Sequence, residues 1–323
     1  MSSSFFVLAS VRPAPRHEPA PPYDTRRLWL ESWDGRTVIP LPRDVVRKGT
    51  IALRGMLGLG TNPSELITTA TPGTAGSRVV DLVQRERPVA LPLGWLGDTQ
   101  AELWAARQAV RDLTDPLRGM TPDGNFRLVC SSASGTRQLN LAYRSGLEDE
   151  DTEYPGWDQA VIDAIAPSPY AEDREEQAVT YRMTQPAIPF LAAAGTDAPW
   201  GTRQLVSSRI ADSETRVSMA SAVPVYPTVE ITGPADSVLI TSDAGLRIDV
   251  PDGVAEGSTL RIVTDPRYKA IRLDGAIAAG SLARGSRLVP FPLGTSTISV
   301  SAPGADESTT LRLSWRGLHR ELW

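Results

Sequence analysis

Five short stretches near the end of the chain alternate strictly between apolar and polar side chains. They are Leu246-Arg247-Ile248-Asp249-Val250, Leu260-Arg261-Ile262, Ala270-Ile271-Arg272-Leu273-Asp274, Thr297-Ile298-Ser299-Val300-Ser301 and Leu311-Arg312-Leu313-Ser314-Trp315-Arg316. A side-chain period of two sends one face of a strand into a core and the other into water. Between these stretches stand Gly233-Pro234, Asp243 to Gly245, Asp252-Gly253, Glu256-Gly257, Asp274-Gly275 and Pro303-Gly304. Such residues supply the positive φ angles and fixed bends of tight turns. Strands and turns at this spacing specify a small antiparallel sandwich. No catalytic constellation lies within it, which favours assembly or binding over chemistry.

With 323 residues the chain has room for two or three domains. A net charge of −5 argues against an overall nucleic-acid-binding surface, though a local basic face would escape that count. Only two of the 33 basic residues, Lys48 and Lys269, are lysines. Coding bias in a GC-rich genome and selection for bidentate arginine ion pairs both account for this. Cys130 is the only cysteine, so no intrachain disulfide forms, and a buried structural thiol is expected. The two histidines, His17 and His319, give it no obvious base. No apolar run approaches the roughly 18 residues of a membrane span. Phe5-Phe6-Val7-Leu8-Ala9 is short and follows no basic residue, so it reads as a strand or docking segment, not a signal peptide.

Pro13, Pro15, Pro19, Pro21 and Pro22 make the first stretch an extended arm. Leu28 to Trp33, Asp34-Gly35 and Arg36 to Ile39 then give a hairpin signal. Residues 49–74 are rich in Gly, Ser and Thr and read as a long irregular loop. Its glycines lack the following Lys-Ser/Thr of a phosphate cradle. Val89 to Trp95 reads as a strand or sheet edge. A helix is expected from Thr99 to about Leu113: Thr99 and Glu102 form a capping box, and Leu103, Ala106, Val110 and Leu113 make one apolar stripe. Asp115-Pro116 ends it. Phe126 to Cys130 then pairs with Gln138 to Tyr143 across a Ser/Gly turn. One helix on a mostly antiparallel sheet is an α+β arrangement. Residues 185–201, with Pro186, Pro189, Gly195, Pro199 and Gly201, read as an interdomain connection.

In this order and spacing the elements resemble the distal tail protein family of long-tailed, non-contractile, siphovirus-type bacteriophages, also called minor tail proteins. The resemblance spans residues 24–323. It rests on the Asp34-Gly35 hairpin, Gly58-Leu59-Gly60-Thr61-Asn62-Pro63, Arg87-Pro88-Val89-Ala90-Leu91-Pro92-Leu93 and the helix with Ala101-Glu102-Leu103. It continues through Thr121-Pro122-Asp123-Gly124, Tyr143-Arg144-Ser145-Gly146-Leu147-Glu148, Tyr226-Pro227-Thr228-Val229-Glu230-Ile231-Thr232-Gly233-Pro234 and Phe291-Pro292-Leu293-Gly294. Where the family usually carries an asparagine after that glycine, this chain has Thr295-Ser296-Thr297.

The resemblance implies a mainly β protein with an α+β part. An N-terminal arm (1–23) precedes a ring-forming sheet-plus-helix domain (24–184), a linker (185–201) and a galectin-like antiparallel β-sandwich (202–323). It further implies a structural, non-enzymatic virion protein at the distal end of the tail. Six copies would form a ring joining the tail tube protein to the tail-tip or hub proteins, with the tape measure protein as a further candidate partner. DNA would pass through the channel only in transit, and no membrane insertion is implied. Galectin-like describes shape, not sugar binding. Deleting residues 1–22 is expected to weaken assembly while leaving both domains folded.

The acidic run Glu148-Asp149-Glu150-Asp151, with Glu153, reads as a solvated loop, a subunit contact or a channel wall that repels phosphates. It lacks the residue order of a helix-loop-helix calcium site. Glu172, Asp173, Glu175 and Glu176 offer a notional glycosidase pair, of a kind that chance supplies in a chain with 38 acids. Among eight tryptophans, Trp95, Trp104 and Trp315 read as core, and Trp200 and Trp323 as exposed interface anchors. The sequence assigns no catalytic, cofactor or metal residues. The alternative from another class is a carbohydrate- or receptor-binding tail module that recognises a host cell-wall glycan. It requires exposed aromatics on a strand face, whereas the strands present mainly Arg, Asp, Ser and Thr outward.

Overall fold

A computed structural model describes residues 26–42, 48–62, 64–148, 156–182 and 212–323. The proline-rich arm, the 185–201 connection, His17 and Trp200 lie outside the described residues. The chain divides into two compact units. The first holds the described residues through Glu175 together with Leu318–Trp323, and the second is Glu176–Gly317.

The first unit contains β1 (Arg27–Ser32), β2 (Val38–Pro40), β3 (Gly49–Ala52), β4 (Glu65–Thr69), β5 (Arg78–Val83) and β6 (Arg87–Leu96). Then come α1 (Gln100–Thr114), β7 (Phe126–Ser132), β8 (Gly135–Ser145), β9 (Trp157–Ala166) and β10 (Ala171–Asp173). The main sheet runs β2-β1-β7-β8-β9-β6-β3, every neighbour antiparallel. β10 extends β8, and the short strand Leu318–His319 pairs with β10. Alternation in β6 buries Arg87, Val89, Leu91, Leu93 and Trp95 on one face. Leu30, Leu128, Leu139 and Leu141 join them from β1, β7 and β8. Each such side chain contributes roughly 1.5–3 kcal/mol on leaving water.

Helix α1 covers this face with Leu103, Val110 and Leu113. Thr99 Oγ1 accepts the Glu102 N–H at 3.2 Å, as a capping residue should. The Glu102 carboxylate reaches back to the Asp98 N–H at 3.0 Å and holds Lys48 Nζ at 2.8 Å. The stripe includes a residue that periodicity does not mark: Arg107 is buried and pairs with the equally buried Asp158 of β9 at 3.1 Å.

The region expected to be a long irregular loop contains two strands instead. β3 pairs with β6, and β4 pairs with β5 in a separate two-stranded ribbon. Strand β6 is internal, although it carries Pro88 and Pro92. The ladder on its β3 side is interrupted beyond Leu53, resuming at the Leu57–Ala90 bridge, so the missing proline N–H groups are tolerated.

The second unit contains β11 (Gln177–Arg182), β12 (Asp212–Met219), β13 (Thr228–Thr232), β14 (Val238–Ser242) and β15 (Arg247–Val250). It continues with β16 (Thr259–Val263), β17 (Ala270–Leu273), β18 (Ala276–Ile277), β19 (Gly294–Ser301) and β20 (Thr310–Trp315). One sheet runs β11-β20-β13-β16-β17-β18 and the other β12-β19-β14-β15, again antiparallel. Every alternating stretch singled out above forms a strand. The Asp274-Gly275 turn joining β17 to β18 has positive φ at both residues, 48° and 84°, the geometry of a type I′ hairpin. Val229, Ile231, Leu260, Ile262, Leu311 and Leu313 of one sheet and Ile240, Ile248, Ile298 and Val300 of the other are buried. Phe291 meets Trp315 edge-on, with centroids 6.0 Å apart. The fold is mainly β with a single α-helix among the described residues.

The division between units differs from the expected boundary. β11, expected to fall within the 24–184 domain, pairs along its whole length with β20 and buries Val179 and Tyr181. Leu318–Trp323, expected in the sandwich, belongs to the first unit.

Candidate assembly surfaces

The β4–β5 ribbon is the least buried part of the first unit. Every residue from Ser64 to Leu82 is exposed. Leu66, Ile67, Val79, Val80 and Leu82 are each between 44% and 62% accessible. Leu66 stands directly opposite Leu82, and the register shifts after Ile67. Glu65 and Arg85 pair at the base of the ribbon, which holds the Glu65 carboxyl below its usual range. A two-stranded hairpin is marginal in water by itself.

The second exposed surface is the sheet face opposite α1. Alternation and register place Pro88, Ala90, Pro92 and Gly94 of β6 beside Ile165, Asp163, Val161 and Gln159 of β9 on that side. Val161 is 50% exposed, and Leu57, which bridges to Ala90, is 65% exposed. Gly94 has no side chain because the Trp157 indole and Ile51 lie over it; a Cβ there would sit 2.7 Å from Trp157. Asp163 is the acid of this face.

Near β3 an open, mostly apolar cleft of about 440 Å³ is lined by Ala52, Leu53, Arg54, Gly55, Met56, Leu59 and Trp323. Its floor is fixed by the last residues of the chain. The Arg87 side chain is fully buried; Nη1 donates to the Gly58 carbonyl at 3.3 Å and Nη2 to the Arg320 carbonyl at 2.6 Å. Burial pushes the guanidinium pKa down, and the nearby Glu321 charge opposes that. Leu322 is buried and its N–H donates to the Leu59 carbonyl, while Arg137 Nη1 donates to the Trp323 carbonyl at 2.8 Å. Arg87 was quoted above only as part of a strand motif. An arginine at the first core-facing position of a strand whose other core positions are apolar is the sole sequence signal of its role.

The residues weighed on sequence are scattered among separate partners. In the acidic run only Glu148 is described. Backbone N–H groups, its own and that of Gly146, hold its carboxyl below the usual range. Asp173 lies 2.7 Å from His319, Glu176 2.6 Å from Arg312, and Glu172 accepts a long bond from Asn140. These carboxylates are spread over two units and do not form one site. Cys130 is buried. Among the described residues no three His, Cys, Asp or Glu side chains converge as a metal site, and no helix is long and apolar enough to cross a membrane. Trp95 and Trp315 are core residues. Trp104 is not: it stands on the outer side of α1, 49% exposed, with the Arg107 guanidinium 5.9 Å from its ring. Trp323 is half-buried beneath Arg26.

No protein-family model and no curated protein matches the sequence. Solved structures do. The chain is similar to the Dit protein (gp 19.1) of phage SPP1, described as a paradigm of hub adsorption apparatus in Gram-positive infecting phages. The TM-score is 0.57 at 12% identity, over 90% of this chain and 98% of that one. It is also similar to a chain of the phage p2 baseplate in its activated conformation with Sr, with a TM-score of 0.48 and 11% identity over 85% and 97% of the two chains. At such identities the likeness to the SPP1 protein is one of fold.

Proposed function

We propose that this chain is a structural, non-enzymatic phage tail protein of the distal hub type. The observation that carries the proposal is the extent of the SPP1 likeness, which takes in nearly all of both chains and therefore both units together. A shared sandwich alone would say little about function. A shared pairing of a sheet-plus-helix unit with a sandwich is more specific. In this reading six copies close into a ring at the distal end of a siphovirus-type tail. The ring contacts the tube protein on one side and tail-tip proteins on the other, leaves a channel for DNA, and carries the galectin-like sandwiches outward.

The ring-forming domain, residues 24–184 in the sequence reading, is the unit that exposes the apolar ribbon, as an assembling domain should. The outward row across the second unit's larger sheet, Thr180, Arg312, Glu230, Arg261 and Arg272, contains no aromatic on which a sugar could stack. That row disfavours the glycan-binding alternative. The test is the solution mass by light scattering with negative-stain images of the same sample. Rings near six times 34.8 kDa with an open centre are expected. A monomer at every concentration, joined by binding to a cell-wall glycan, would replace the hub reading with the alternative.

A further inference from the structure

We infer that the β4–β5 ribbon of one copy packs on the outer β9–β6–β3 face of the next copy, forming a head-to-tail contact. This deepens the hub reading and rests on it for the closed ring, but the contact itself is argued from the first unit alone. The ribbon exposes five large apolar side chains, and no described residue of its own chain covers them. Among the described residues its strands pair only with each other, without the third strand or covering layer that a hairpin needs for stability. The outer sheet face meanwhile leaves Leu57, Pro88 and Val161 exposed on the side that α1 does not cover. Both surfaces are open in the same molecule, so the ribbon does not cover its own sheet.

Size and charge favour a second copy as the occupant. β6 and β9 are ten residues each, about 33 Å of paired strand, and the six-residue ribbon strand is about 20 Å long, so it fits along them. Arg78 on the ribbon and Asp163 on the face make no ion pair among the described residues, and their charges are opposite. A contact between two different patches of one chain is heterologous. It propagates from copy to copy and closes when the rotation per copy divides a full turn.

The test uses the full chain with Val80→Cys and Val161→Cys. Cys130 is the only native cysteine and is buried, so it does not compete. Under mild oxidation the double variant should run as a ladder on a non-reducing gel. The two single variants should cross-link only when mixed, and only to dimers. Leu66→Ser/Leu82→Ser should weaken assembly at least tenfold while the circular dichroism spectrum and melting temperature hold. Charge reversal at Arg78→Asp should weaken assembly, with recovery on adding Asp163→Arg. Rings that form without cross-links, or disulfide dimers from V80C alone, overturn the inference and leave the hub reading standing. Cross-linked open chains without rings support the contact and count against the closed hub. A monomer that never cross-links overturns both.

Discussion

Arg87 shows how one buried charge can organise a surface. Its two carbonyl partners, on Gly58 and Arg320, lie far apart in sequence and are held together by one planar fork. Arg87→Met keeps most of the apolar stem but leaves both carbonyls without that donor. Losing a partner from a buried polar group costs about 1–3 kcal/mol per group, so a large drop in the first unit's denaturation midpoint is expected. An unchanged midpoint would show that Leu322, Arg137 and the pairing with β10 hold the last segment without Arg87. Tyr181 gives a complementary test in the second unit. Burial raises its phenol pKa above the ordinary 10.0. The folded state therefore favours the neutral phenol, and this contribution is complete below pH 10. It is lost as pH rises through the folded pKa, because the unfolded chain ionises first. Denaturant midpoints measured from pH 9 upward should fall less for Tyr181→Phe than for the native chain. Neither residue was legible in the sequence as a special position. Arg87 falls in register with apolar neighbours, and Tyr181 lies in a segment whose polar flanks mask its alternation.

At the scale of elements, legibility followed how directly a local rule fixes the backbone. Helix α1 was readable because Thr99 caps it, Asp115-Pro116 stops it and its apolar stripe faces the sheet. Thr99→Ala should accordingly cost about 1 kcal/mol, seen as a lower melting temperature of the first unit; no change would mean that packing by Leu103 and Val110 makes the cap redundant. The β7–β8 hairpin and the second unit's strands were readable for similar reasons, since their alternation and turn residues agree. The β4–β5 ribbon was not. Leu66-Ile67 and Val79-Val80 are apolar doublets that break period two, and the glycines between them suggest an unpaired loop. A strand with neither face buried in its own chain has no reason to alternate. The same physics hid the ribbon from sequence reading and left it needing a cover. Trp104 was misplaced for a related cause: an aromatic on a helix looks like core until the direction of the stripe is fixed by Arg107 and Asp158.

At the scale of the whole molecule, the order of elements was recognisable but the division between units was not. Strand β11 precedes the linker expected at 185–201, yet it forms the edge of the second unit's larger sheet. Leu318–Trp323 follows the last sandwich strand but belongs to the first unit. Such exchanges of terminal segments cannot be read from composition, because pairing with β20 and binding by Arg87 are long-range events. They make a specific claim about autonomy. A fragment spanning 176–317 contains all ten strands β11–β20 and should fold cooperatively. A fragment cut at the sequence boundary, 202–323, lacks β11 and carries 318–323 without its Arg87 partner. Its β20 then becomes an open edge, with the Val179 and Tyr181 contribution to the core removed and a free row of backbone groups prone to pairing with other chains. Thermal unfolding followed by light scattering separates the cases. The 176–317 fragment should melt in one transition and remain monomeric, whereas 202–323 should melt lower and aggregate. Equal behaviour would mean that β11 is an ornament of the sheet, and that the division lies where the sequence placed it.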